Sequence, residues 1–302
     1  MKILKRSFVF LCILFFLGTS YALAIPKLPQ GGVFITFSGV EQISPTEAIV
    51  APSGNSESSW GVFRVTSITD SDPVVLDPND QNFQQGTTSY YSLGQDGGYI
   101  TGIFFGLQLV VDPYNHDLLL SSGGEIHFYY QTLATAPSLA SALPEHRTAD
   151  DQFTGFTTGT FLGAAEFLDG GIHPGASVVG NAIPTLDGFT GQANSFGNIK
   201  DMNGDGVIDE LDGVWAQQLS TAFFNTALGN NTADMKFRNI YESDGNHYWD
   251  DLSDPEKPIL GAQMTDPLRA VNAVPEPGTV LLLGAGLLGL AAYGRKRYIK
   301  KN

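Results

Sequence analysis

The chain has 302 residues with 16 Lys+Arg against 31 Asp+Glu, a formal charge of −15. That balance excludes a phosphate-backbone partner, which requires clustered cations. One cysteine, Cys12, excludes disulfides, Cys-ligated zinc and a Cys nucleophile in any form lacking the N-terminal apolar run. Residues 1–24 read as a secretory signal peptide. Lys2, Lys5 and Arg6 form a positive start, Phe8 to Leu17 is apolar, and Ala22-Leu23-Ala24 supplies the small residues of a cleavage site. The apolar run is too short to span a membrane, which takes roughly 17–25 residues.

From residue 25 to 252 the chain is Gly-rich, aromatic and β-branched. Strands are predicted over Gly32–Val40, Trp60–Ile68, Tyr99–Val111 and Glu125–Tyr130, with weaker candidates at Thr160–Phe167 and Lys236–Tyr241. Gly-Gly, Asp-Pro, Asn-Asp and Ser-Gly turn signals separate them. The expected fold is mainly β, an antiparallel sandwich-like or barrel-like domain with one or two short helices; a sandwich is the favoured form. The helices are placed at Pro137–Pro144 and at Glu210–Ala227, where Leu211, Val214, Trp215, Leu219, Ala222 and Phe223 share one apolar face. Residues 253–273, dotted by Pro255, Pro258 and Pro267, read as a spacer.

One stretch carries chemistry. Asp201-Met202-Asn203-Gly204-Asp205-Gly206-Val207-Ile208-Asp209-Glu210-Leu211-Asp212 has the pattern of a twelve-residue calcium loop. Calcium needs six to eight oxygens around one point. Asp201, Asn203 and Asp205 supply positions 1, 3 and 5, and Gly206 allows the sharp turn that lets them converge. Val207 offers its carbonyl, Asp209 binds through a water, and Asp212 closes the site from the first turn of the following helix. Ile208 is expected to pack against the core. A plain Asx-rich turn before a capped helix is the competing reading. Asp at position 12 resembles a dockerin repeat. Dockerins carry two loops, and the second candidate, Glu242–Asp251, has His247 where the loop glycine belongs. A cohesin partner is therefore not expected.

The C-terminal end, 274–302, combines Pro275-Glu276-Pro277, an apolar stretch over 279–294 and a basic stop, Arg295-Lys296-Arg297. A helix-refusing break, a membrane helix at the lower limit of length and a cytoplasmic cationic cluster follow physically. These residues resemble the PEP-CTERM sorting signal. The resemblance implies export, transient anchoring in the inner membrane, cleavage by an exosortase and delivery to the cell surface or extracellular matrix. Such proteins accompany exopolysaccharide in biofilms and flocs. Trp60–Leu109 is also similar to an N-terminal stretch of PEP-CTERM surface proteins. Gly284-Ala285-Gly286-Leu287-Leu288-Gly289 matches a dinucleotide fingerprint literally, but it lies inside the apolar helix and follows no strand.

Catalytic residues are not assigned. His116, His127, His146, His173 and His247 show no metal-ligand spacing, and no G-x-S-x-G elbow is present. His127 is expected to be a packed or edge residue. The paired aromatics Tyr90-Tyr91, Phe104-Phe105 and Tyr129-Tyr130 each put one ring in the core by alternation. Their outward rings leave exopolysaccharide binding as the alternative function. The expectation is a non-enzymatic, structural or adhesive surface protein with one structural Ca2+; a secreted hydrolase is the remaining rival.

Overall fold

The computed structural model describes residues 25–72, 84–111, 118–185 and 188–272. The expected signal peptide (1–24), membrane helix (279–294) and sorting residues Pro275, Glu276, Pro277, Arg295, Lys296 and Arg297 lie outside the described residues. Among the described residues no helix is long and apolar enough to cross a membrane.

In chain order the strands are β1 (Gly31–Ile43), β2 (Ile49–Val50), β3 (Ser56–Glu57), β4 (Ser59–Asp72), β5 (Gln84–Ser92), β6 (Gly98–Val110), β7 (Leu119–Thr132), β8 (Arg147–Ala149) and β9 (Gln152–Phe153). They continue with β10 (Thr160–Phe167), β11 (Val178–Thr185), β12 (Gly188–Ile199), β13 (Phe224–Asn225), β14 (Thr232–Ala233), β15 (Met235–Ser243) and β16 (Leu260–Asn272). All six sequence-predicted strands are present, most of them longer than expected. The sheet runs β1-β16-β15-β12-β10-β7-β6-β4 and returns to β1, an eight-position antiparallel barrel. β10 and β11 share one position: each bridges β7 and β12, at different levels of the barrel. β5 pairs with β4 outside the ring.

The sandwich is therefore corrected to a closed barrel. β1 is hydrogen-bonded to β16 on one edge along its whole length and to β4 on the other from Val33 to Ile43. No edge is left from which a second sheet could start, and closure removes the aggregation-prone edges of an open sheet. Register shifts at Thr36/Phe37, Ser59/Gly61 and Phe161/Gly163 supply the bends that curling needs.

The second correction concerns 253–273. Leu260–Asn272 is not spacer but β16, paired with all of β1 and with β15. Pro267 has no N–H to give the ladder, and it hid the strand from sequence reasoning.

Alternation sorts side chains cleanly. Val33, Ile35 and Phe37 of β1 point into the barrel with Phe63, Val65, Ile100, Phe128, Leu162 and Leu268. The outward set forms a second apolar cluster around Trp60, Val62, Ile103, Phe153 and Trp249, covered by the chain between β7 and β10 and by the segment after β15. Trp60 Nε1 donates to Gln42 Oε1 at 2.8 Å, and Gln42 Nε2 donates to the Trp249 carbonyl at 2.9 Å. The Arg147 guanidinium lies 4.4 Å from the Trp60 ring and pairs with buried Glu57. Each large polar tip in this cluster thus has a partner, as burial demands.

Candidate functional site

The calcium-type loop leaves β12 at one end of the barrel. It is wound on its own side chains. Asp201 Oδ1 accepts from Gly204 N and Oδ2 from Gly206 N, both at 2.6 Å. Asn203 Oδ1 accepts from Asp205 N at 2.9 Å, and Asp205 Oδ1 from Val207 N at 2.8 Å. Gly206 sits at φ 84°, the left-handed turn expected of position 6. Asp212 joins the two ends of the loop: Oδ1 accepts from Met202 N at 2.7 Å and Oδ2 from Asp209 N at 2.9 Å. The backbone N–H groups of Asp209, then Met202 and Asn203, hold the Asp212 carboxyl below the usual carboxylate range, against the upward push of burial. Asp209 reciprocates by capping Leu211 N at 2.7 Å. Ile208 packs against the interior cluster as expected.

Among the described residues no three His, Cys, Asp or Glu side chains are gathered closely enough to hold a metal ion. Asp201, Asn203 and Asp205 are spaced along the outer turn, with their oxygens engaged by backbone N–H groups. A carboxylate oxygen that accepts one N–H retains lone pairs for a cation. The donor types are all oxygen, in the sequence order calcium uses, but the structure does not gather three of the carboxylates at one point.

The helix expected over Glu210–Ala227 does not form. A 3-10 turn, Glu210–Asp212, is followed by Gly213 at φ 124° and then a single helical turn, α1 (Ala216–Leu219). A Cβ on Gly213 would stand 2.6 Å from the backbone of Gly163 in β10, so the chain is pressed flat against the barrel there. Trp215 N donates to the Leu162 carbonyl at 2.7 Å, which fixes that approach. Beyond α1, Asp234 accepts from Thr221 N and Ala222 N, each at 2.6 Å, and Ala222 takes φ 47°. Leu211 and Val214, expected on the apolar face, are exposed, so only part of that spacing marked a packing role. Trp215 and Leu219 are buried and close this end of the lumen against Ile35, Phe128, Met235 and Leu268.

The other end of the lumen is not filled. A cavity of about 100 Å3 is walled by Phe37, Phe104, Leu107, Phe167, Phe237 and Met264. Sequence reasoning missed the group inside it. Glu41, 2% exposed, projects inward from β1, and its carboxyl oxygens receive only Asn239 Nδ2, at 3.3 Å each. Burial pushes the Glu41 carboxyl up to about 8, opposed weakly by Asn239. Asn239 Oδ1 is shielded from solvent and has no hydrogen-bond partner. The signal was available: Val33, Ile35, Phe37, Gly39 and Glu41 fall on one face of a period-two strand, so a carboxylate stands in an apolar row.

On the outer face, Phe105, His127, Phe161 and Tyr129 form a continuous row, with ring centroids 5.1, 5.8 and 5.4 Å apart. His127 is buried, as expected of a packed residue, while the three aromatics are half-buried.

Residues 273–297 match the family model of the PEP-CTERM protein-sorting motif. The barrel is therefore followed directly by a sorting tail, with β16 ending at Asn272. The PEP-CTERM tail implies export, transient membrane anchoring, processing by exosortase and surface localisation. Neither a curated protein nor a solved structure gives a match to the chain.

Proposed function

We propose that the barrel is a structural or adhesive component of the cell surface or extracellular matrix, in a biofilm or floc, and that one Ca2+ held by Asp201, Asn203, Asp205, Val207, Asp209 and Asp212 locks its closed end. The observation that carries this reading is the position of Asp212. This buried carboxylate ties the loop's two ends together one residue before Gly213, where the chain docks on β10 and turns to deliver Trp215. An ion that tightens the loop also tightens the plug. Extracellular calcium is commonly millimolar, the range in which single extracellular sites are filled. The role is stabilising, not catalytic.

The test is thermal unfolding in 2 mM calcium and in chelator. A calcium-dependent rise in Tm, lost in Asp201→Ala, supports the site. Equal melting in both buffers overturns it.

A second reading, exopolysaccharide binding, is favoured by the half-buried row of Phe105, Phe161 and Tyr129, since aromatic faces stack on apolar faces of ligands. Pull-down on the producer's own polysaccharide, weakened at least tenfold in Tyr129→Ala, would establish it; equal retention of both proteins would refute it.

A further inference from the structure

We propose that the open half of the barrel lumen is a binding site for a compact, neutral, mainly apolar molecule carrying one hydroxyl or amide end, which Glu41 and Asn239 hold. This inference is independent of the calcium reading.

Three observations carry it. First, the space is enclosed by the barrel rather than lying between loops: its walls come from β1, β4, β6, β7, β10, β11, β12, β15 and β16. Eight-stranded barrels have interiors just wide enough to be filled by side chains or to hold one small ligand. Here one half is filled by Trp215 and Leu219, and the other is left open. Second, Ile43, Leu109, Leu119 and Val178 line the cavity and are only half-buried, beside half-buried Ser59 and Ser121, so the cavity opens toward the surface through a mixed, mainly apolar mouth. Third, the polar groups inside are incompletely used. Buried polar atoms in native proteins are almost always hydrogen-bonded, and an exception asks for a partner.

The chemistry of those groups selects the ligand. Among the described residues no cation pairs with Glu41. Arg238 lies on β15, next to Asn239 in the chain, but is exposed and donates to Gln192 Oε1 at 3.1 Å. The Tyr241 hydroxyl is committed to the Asn181 carbonyl. A carboxyl kept neutral by its apolar surroundings presents an O–H donor, while Asn239 Oδ1 presents an acceptor beside it. A hydroxyl or primary amide satisfies both at once; a hydrocarbon satisfies neither. Size follows from volume. An apolar cavity of ~150 Å3 takes up benzene, so about 100 Å3 suits a five- or six-atom body with its remainder toward the mouth.

The experiment uses the full chain in lipid nanodiscs, labelled with 13C at the methionine methyls. Met264 lines the cavity, and Met235 lies among the residues of the plugged half. Cyclopentanol, cyclopentane and cyclopentylamine are titrated, with empty nanodiscs correcting for partition into lipid. The expected result is a saturable shift of the Met264 methyl with cyclopentanol, at least tenfold tighter than with cyclopentane or cyclopentylamine, and no shift of Met235. In Asn239→Leu, cyclopentanol should fall to the affinity of cyclopentane. Absence of a saturable Met264 shift with all three probes overturns the site. Tightest binding of the amine, or equal binding of alcohol and hydrocarbon, overturns the assignment of its chemistry. The wild-type titration decides both points even where the variant does not fold.

Discussion

Replacing Glu41 with Gln should change how stability depends on pH. Burial pushes the Glu41 carboxyl up to about 8 in the folded chain, from an ordinary carboxyl value of 4.5. The folded chain therefore holds a proton that the unfolded chain has released. Its contribution to stability is complete below the unfolded value and is lost as pH rises through the folded one. At about 1.4 kcal/mol per pKa unit, the wild-type chain forfeits roughly 3–4 kcal/mol between pH 5 and pH 8 on this group alone. Tyr241, the other titratable group facing Glu41, is pushed above its ordinary value by burial and then by Glu41 itself, so it stays neutral across this window. Gln keeps the shape of the neutral acid and carries no titrating proton. Urea unfolding followed by tryptophan fluorescence suits the measurement, because Trp60, Trp215 and Trp249 are all buried. The stability gap between Gln variant and wild type should widen by about 3 kcal/mol from pH 5 to pH 8. Parallel curves, with the gap constant to within about 0.5 kcal/mol, would refute the claim that Glu41 is buried without a counter-ion.

Other perturbations read out other parts of the molecule. Trp215→Ala should cost about 3–5 kcal/mol in urea unfolding, the loss expected for emptying a large aromatic site in a core. Arg147→Met leaves Glu57 buried without its partner and should cost about 3–5 kcal/mol; adding Glu57→Gln should restore most of it, measured as a double-mutant cycle. Deleting 275–302 should abolish surface delivery of an otherwise exported chain, scored by fractionating cells into periplasm, membrane and surface. Unchanged surface delivery would remove the sorting role of the tail.

Much of the barrel was legible because period-two alternation is strong in β1, β4, β6 and β7, where one face is apolar and the other polar or differently packed. β11 and β12 escaped because Val178–Thr185 and Gly188–Ile199 mix Gly, Asn, Thr and Ser with few large apolar residues. They hold their place by pairing with each other and with β7 and β15, a non-local cause that single-sequence patterns do not carry. β16 escaped through Pro267. Closure itself was illegible: alternation serves sandwiches and barrels equally, and the pairing of β1 with both β4 and β16 decides between them. The sharp turn of the 201–212 loop was legible, since the side-chain hydrogen bonds that wind it are local and Gly206 stands where the turn is needed. The helix after it was misread because Gly213 meets Gly163, a contact fifty residues away in sequence.

The two halves of the lumen share strands, and this sets how a change at one end should travel. Phe128 borders the plug and Ile126 the cavity, two residues apart on β7; Met235 and Phe237 on β15 and Leu268 and Met264 on β16 divide in the same way. A core of this density transmits displacement through contact, yet each of these pairs is anchored by strand hydrogen bonds on both sides. On the proposed calcium site, chelation would act on Asp212 and the plug first. The Met235 methyl should therefore shift or broaden on chelation while Met264 holds its position. Equal displacement of both methyls would show instead that plug and cavity open as one cooperative unit, and that a ligand at Glu41 and a cation at Asp212 are coupled through the barrel wall.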